Sequence, residues 1–183
     1  LVKQYGADTV RAYIMFGFDW NKGGPWNSQN IQGVVRWLND VWDLVMSPPE
    51  NETGDDATER AVERSVHQTI KGVADRLEDF NFNKAVSELM TLKNDVRAAM
   101  RDGKLGRTAW QEAVKSMLLM MAPFTPHIAE ELWQRFGHDE TITYQPFPTF
   151  EEKYLVDDEI EVPVQINGKV KARINVAADA DQE

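Results

Sequence analysis

Three histidines and no cysteine leave this chain few ways to do nucleophilic or metal chemistry. His67, His127 and His138 stand in no H-x-x-x-H or H-E-x-x-H pattern, so no helix presents two imidazoles to one metal. Without cysteine there is no thiol nucleophile, no thiolate zinc site and no disulfide framework. Ser28, Ser47, Ser65, Ser87 and Ser116 lack a histidine base in any familiar motif. No G-x-x-x-x-G-K-[ST] or G-x-G-x-x-G phosphate loop occurs, and Gly23-Gly24 runs into Pro25-Trp26. The adjacent acids Asp55-Asp56 and Glu130-Glu131 are of a kind that helix starts and solvated faces produce routinely. The sequence therefore points to no catalytic residue, no cofactor site and no metal site within the chain.

What remains is a set of cations at regular spacing. Lys93, Arg97, Arg101 and Lys104 share one face of a helix, with Asp95 and Asp102 close enough to make it an ordinary solvated face. Arg36 stands alone among apolar neighbours, next to Trp37, and could reach a phosphate. Arg64 and His67 share a second helix face, and Lys169, Lys171 and Arg173 alternate along a strand. RNA is held largely by phosphate and 2′-hydroxyl contacts that need shape and positive charge rather than a motif. The net charge of −10 opposes this, since nucleic-acid binders usually carry a basic surface. Net charge, however, governs solubility and long-range steering, not what one local patch does.

The elements that must position these cations are mostly helical. The 183 residues suffice for one ordinary domain, or one with a small appendage, and 42% apolar content is ample for a core. A short helix is expected from Tyr5 to Phe16, then a loop over 17–26, with Asn27 or Ser28 capping a helix that ends before Pro48-Pro49. Val62, Val66, Ile70, Val73, Leu77 and Phe80 form the seam of a long helix that Asn81 breaks. Phe82 to Met100 and Trp110 to Met121 carry two more stripes, and Ile128 to Phe136 follows Pro123 and Pro126. Residues 144–150 are an extended, proline-rich connector. No apolar run approaches a membrane span, and no signal peptide is recognisable. Helical pattern begins almost at Leu1, which is not an initiator, so the chain is expected to be part of a longer protein.

Beyond residue 151 the period changes to two. Val162, Val164 and Ile166, then Val170, Ala172, Ile174 and Val176, alternate with polar residues around Asn167-Gly168, which predicts a β-hairpin. A two-residue turn would put the apolar rows out of phase. An Asn-Gly-Lys loop with Gly168 as a bulge puts them in phase and is the expected register. The fold class is thus mainly α: a helical bundle followed by a β-hairpin from a truncated α/β module.

Several segments resemble known sequences. Tyr5-Gly-Ala-Asp-Thr-Val-Arg11 is similar to the segment that follows the KMSKS loop of class I aminoacyl-tRNA synthetases. Met121-Ala-Pro-Phe-Thr-Pro-His-Ile-Ala-Glu-Glu-Leu-Trp133 resembles the last helices of their anticodon-binding bundle. Val164-Gln-Ile-Asn-Gly-Lys-Val-Lys-Ala-Arg173 is similar to the opening of the C-terminal domain of bacterial-type leucyl-tRNA synthetases, and His67 to Ile70 and Phe82 to Val86 fit the same family. The resemblance covers nearly the whole chain. It implies residues 1–26 as the end of the connection to the catalytic core, 27–150 as the anticodon-binding-type bundle and 151–183 as the start of the C-terminal domain.

The same resemblance implies a leucine-tRNA ligase that uses ATP and Mg2+ and edits its products, with both catalytic units before Leu1. This chain would be its non-catalytic tRNA-docking part, holding the backbone of tRNA(Leu) and packing on the catalytic and editing domains of the same polypeptide. The enzyme would be a cytoplasmic monomer without a membrane. Arg36 falls where the family has a tRNA-facing arginine. Related sequences often carry a second arginine where this chain has Asp40, an acid that would repel phosphate. Tyr5 and Asp8 are expected to support the fold. Two other readings stand beside this one: the equivalent part of a valine or isoleucine enzyme, and a helical protein-interaction module without RNA.

Overall fold

The structure is a computed structural model that describes residues 1–20, 22–24, 30–155, 159–166 and 169–177, the last two stretches as backbone. The expected caps Asn27 and Ser28 and the turn at Asn167-Gly168 lie outside the described residues. The chain divides into two compact units, Leu1–Phe150 and Glu151–Glu183.

The first unit is helical: α1 (Val2–Tyr5), α2 (Ala7–Phe16), α3 (Ile31–Met46), α4 (Asp56–Glu78), α5 (Phe82–Arg101), α6 (Arg107–Met121) and α7 (Pro126–Arg135). The expected first helix is broken in two at Gly6, whose φ of 84° lies where only glycine is at ease. α3 ends at Met46 because the residue before a proline is pushed out of the helical region. Asp55 caps α4 by accepting from the Thr58 N–H, and Pro126 opens α7 at a position that has no use for an N–H.

Amphipathic spacing then assembles the core. α5 is the central helix, packed against α2, α3, α4 and α6, while α7 packs on α2, α3 and α6. Val34, Trp37, Leu38 and Val41 of α3, Val66, Ile70 and Val73 of α4, Val86, Leu89 and Val96 of α5, and Trp110, Val114 and Met117 of α6 are all buried. The expected seam of α4 holds from Val62 to Val73, continues with Leu77 half-buried against the core, and fails only at Phe80. Phe80 lies beyond the helix end, in the left-handed region at φ 57°, and is 62% exposed.

The second unit is an antiparallel hairpin of β1 (Glu159–Ile166) and β2 (Lys169–Ala177). Its register corrects the expected one. Ile166 pairs with Lys169, the two-residue arrangement, and the irregularity falls between Val164 and Gln165 instead of in the turn. That shift restores the phase two residues later, so Val164, Val162 and Ile160 pair with Ala172, Ile174 and Val176. One extra residue re-phases the two rows equally well at either place.

Candidate nucleic-acid interface

The helices α3 and α5 carry four of the expected cations, Arg36 on α3 and Lys93, Arg97 and Arg101 on α5. Asp40 reaches across from α3 to α5. Its carboxylate binds the Lys93 ammonium at 2.8 Å through one oxygen and the Arg97 guanidinium through the other. The Lys93 bond, aided by Arg97 and opposed by partial burial, holds the Asp40 carboxyl below its ordinary value. One turn further on, Asp43, Leu44 and Ser47 line an open cleft of about 290 Å³ with Arg97, Met100 and Arg101. Steps along α3 are thus matched by steps along α5 in the same direction. Arg36, one turn or about 6 Å before Asp40, lies level with the α5 turn that precedes Lys93.

This geometry corrects the picture of a free basic stripe. Lys93 is 7% exposed, and its ammonium is committed to Asp40, because a buried cation without a partner is strongly disfavoured. It is an interhelical clamp. Arg97 shares the same carboxylate but keeps about half of its side chain in solvent. Arg101 is largely exposed and pairs weakly with its neighbour Asp102 at 3.5 Å. Asp40 looked from the sequence like a phosphate-repelling acid. Its charge is in fact balanced by two cations, and that role requires knowing which residues of α5 face it.

Arg36 is different. It is exposed on α3 and makes no ion pair or hydrogen bond among the described residues, while its neighbour Trp37 is buried and anchors the helix. Trp37 Nε1 finds no acceptor there. Arg64 and His67 lie on α4, half-buried, and each already holds a polar or ring contact. Lys169, Lys171 and Arg173 lie on β2 of the other unit, with Lys171 at the register shift. The cations seen in sequence therefore divide. Arg97 and Arg101 line one cleft, Lys93 is internal to the α3–α5 contact, and Arg36 stands one turn before Asp40 on α3; Lys104 falls beyond the end of α5, off the expected helix face, and the others belong to α4 or to the hairpin.

Asp8, expected to support the fold, does so together with Arg11, to which the sequence assigned no role. The Asp8 carboxylate accepts from His127 Nδ1 and from the Ile128 N–H, both at 2.7 Å. Arg11 donates to the carbonyls of Pro123 and Phe124. One turn of α2 thereby holds the break between α6 and α7. Among the described residues, no group of three His, Cys, Asp or Glu side chains could hold a metal ion, and no helix is long and apolar enough to cross a membrane.

A cation-lined groove on a helical bundle fits many partners, and comparison narrows them. Residues 59–183 match the family model described as the anticodon-binding domain of tRNA ligase. The chain belongs to that family. Over its whole length it is 44% identical to a leucine–tRNA ligase of Herpetosiphon aurantiacus and 42% identical to one of Corynebacterium glutamicum. It spans about a fifth of the length of these curated relatives, 22% and 19%. A solved LeuRS of Agrobacterium radiobacter K84, in a ternary complex with tRNA and LeuAMS, is similar over 99% of the domain and 24% of that chain, with 28% identity and a TM-score of 0.83. The domain is thus a mainly helical bundle of the kind that tRNA ligases carry.

Proposed function

We propose that this chain is the tRNA-docking part of a leucine–tRNA ligase, the enzyme that activates leucine with ATP and esterifies it to tRNA(Leu). A likeness that runs end to end, to a LeuRS solved with tRNA, carries the reading. The α3–α5 groove supports it chemically, because α3 offers Arg36 at the surface without a partner among the described residues, and α5 offers Arg97 and Arg101 half or more exposed. Contacts of this kind position a tRNA through its phosphates and carry no sequence information. In this reading ATP and Mg2+ are held by other parts of the ligase, as is editing. The hairpin is the start of that enzyme's C-terminal module, and the cytoplasm is its compartment.

The experiment is a salt series of tRNA(Leu) binding by the full-length polypeptide that carries the chain. Arg36→Ala is expected to weaken binding and to lower the slope of log K against log salt by about one. An unchanged affinity and slope would remove Arg36 and with it the groove.

A further inference from the structure

Phe80 breaks both rules that place a phenylalanine. It is 62% exposed, and its backbone is left-handed at φ 57°. The Phe80 N–H donates to the Leu77 carbonyl and the Asn81 N–H to the Arg76 carbonyl at 2.8 Å. That double closure of a helix end normally has glycine at the position Phe80 occupies, because a Cβ crowds the backbone there. Neither burial nor local conformation accounts for an aromatic ring at this point. A strained, exposed residue held in place by its surroundings is a pointer to function.

The ring is not alone. Phe80 packs edge-on against Phe82 with centroids 5.5 Å apart, and Trp20 packs perpendicular to Phe82 at 5.1 Å. Trp20 is itself 44% exposed, its indole fixed by a hydrogen bond from Nε1 to the Ile14 carbonyl. Two partly exposed rings thus pack on a half-buried third. Phe82 opens α5, and α3 and α5 run in the same direction. The trio therefore lies at the end of the α3–α5 groove toward which Arg36 is displaced from Asp40, about two helical turns beyond it. Lys22, which pairs with Asp19 at 3.3 Å, and the exposed Lys84 follow Trp20 and Phe82 by two residues, and the exposed acids Glu78 and Asp79 precede Phe80.

We propose that Phe80 and Trp20 are a stacking platform for unpaired bases of the RNA whose phosphates lie along the α3–α5 groove. This deepens the tRNA-docking reading and rests on it. Folded RNAs present splayed bases in loops and at bends, and proteins hold these on exposed aromatic faces next to cations that follow the backbone. An apolar protein partner would need a wide greasy area, whereas this patch is two exposed rings around a half-buried third. The single-stranded part of the tRNA is the occupant the groove's continuity selects.

The test is Phe80→Gly in the full-length polypeptide. Glycine relieves the left-handed strain and removes the ring, so thermal stability and RNA affinity should move in opposite directions. Expected are a Tm unchanged or raised by about 2 °C and tRNA(Leu) transcript binding weakened about 5- to 100-fold. The salt slope should stay the same, because no phosphate contact is lost. Phe80→Trp should restore affinity and Phe80→Leu should not. A fully paired hairpin RNA should bind wild type and Phe80→Gly equally. Unchanged tRNA binding by Phe80→Gly together with Trp20→Ala would overturn the platform, even if Arg36→Ala still weakened binding. If Arg36→Ala also had no effect, the docking reading itself would fall.

Discussion

Asp8 and His127 are 119 residues apart in sequence and 2.7 Å apart in space. The bond joins two segments that were recognisable separately, Tyr5–Arg11 and Met121–Trp133. Asp8 is buried, and its second oxygen takes the Ile128 N–H, one of the free donors at the start of α7. One turn away, Arg11 covers carbonyls just after the end of α6. An acid at a helix start and a base near a helix end are each placed with the helix dipole. Two residues of one helix thus satisfy both ends of a break between two others.

Replacing Asp8 by alanine should therefore lower the unfolding free energy by about 1–2 kcal/mol, the scale of a lost N-cap with a buried donor left over. Asp8→Asn, which keeps one acceptor oxygen, should recover part of that loss. Urea unfolding of the three proteins measures it. Equal stability of Asp8→Ala and wild type would mean that water replaces the cap.

The periodicity of the sequence disclosed what packs but not what pairs. Val66, Ile70 and Val73 announce their burial by spacing, because a helix repeats and the core selects one stripe. Lys93 could not be read this way. A lysine on a helix face looks solvated until Asp40 of another helix is known to stand over it. Phe80 extended the α4 seam on paper, but the helix closed two residues earlier and turned the ring outward. The hairpin strands were legible, while the place of the irregularity was not, since two positions re-phase the rows equally well. Arg36 stood out in sequence as an isolated cation, and in the structure it still makes no pair among the described residues.

The Asp40 clamp should show in acid. Its carboxyl titrates below the ordinary value of 3.8 because Lys93 and Arg97 hold the charged form. A depressed folded pKa contributes stability that is present above the unfolded value and lost as pH falls through the folded one. Wild type should therefore lose an increment below about pH 4 that Asp40→Asn lacks, seen as converging stabilities on acid titration. At neutral pH, Asp40→Ala should cost about 1–3 kcal/mol, less than a fully buried pair because Asp40 is a third exposed.

Lys93 and Arg36 should separate cleanly. Lys93→Met replaces a buried clamp with a side chain of similar length that needs no partner, and it leaves Asp40 with Arg97. The salt slope of tRNA binding should then stay as in wild type, since Lys93 offers nothing to a phosphate, whereas Arg36→Ala lowers it. A slope reduced equally by both variants would mean that the clamp opens when RNA arrives.

The junction between the start of α4 and the start of α6 should tolerate no side chain at all. Glu59 Oε1 accepts from the Gly54 N–H at 2.7 Å and the Gly106 N–H at 2.9 Å, so one carboxylate oxygen joins two loops. The Asp55 N–H donates to the Lys104 carbonyl and the Arg107 N–H to the Asn51 carbonyl, which draws the backbones together. A Cβ on Gly54 would stand 2.0 Å from the Lys104 carbonyl oxygen, and one on Gly106 2.5 Å from the Thr53 Cα. These are main-chain atoms that cannot rotate aside, so the loops must part and the Glu59 bonds weaken with them. Gly54→Ala and Gly106→Ala are each expected to destabilise by about 2–3 kcal/mol in urea unfolding. Because either substitution opens the same junction, the double variant should cost clearly less than the sum of the two. Additive losses would show that the loops yield independently and that Glu59 does not couple them.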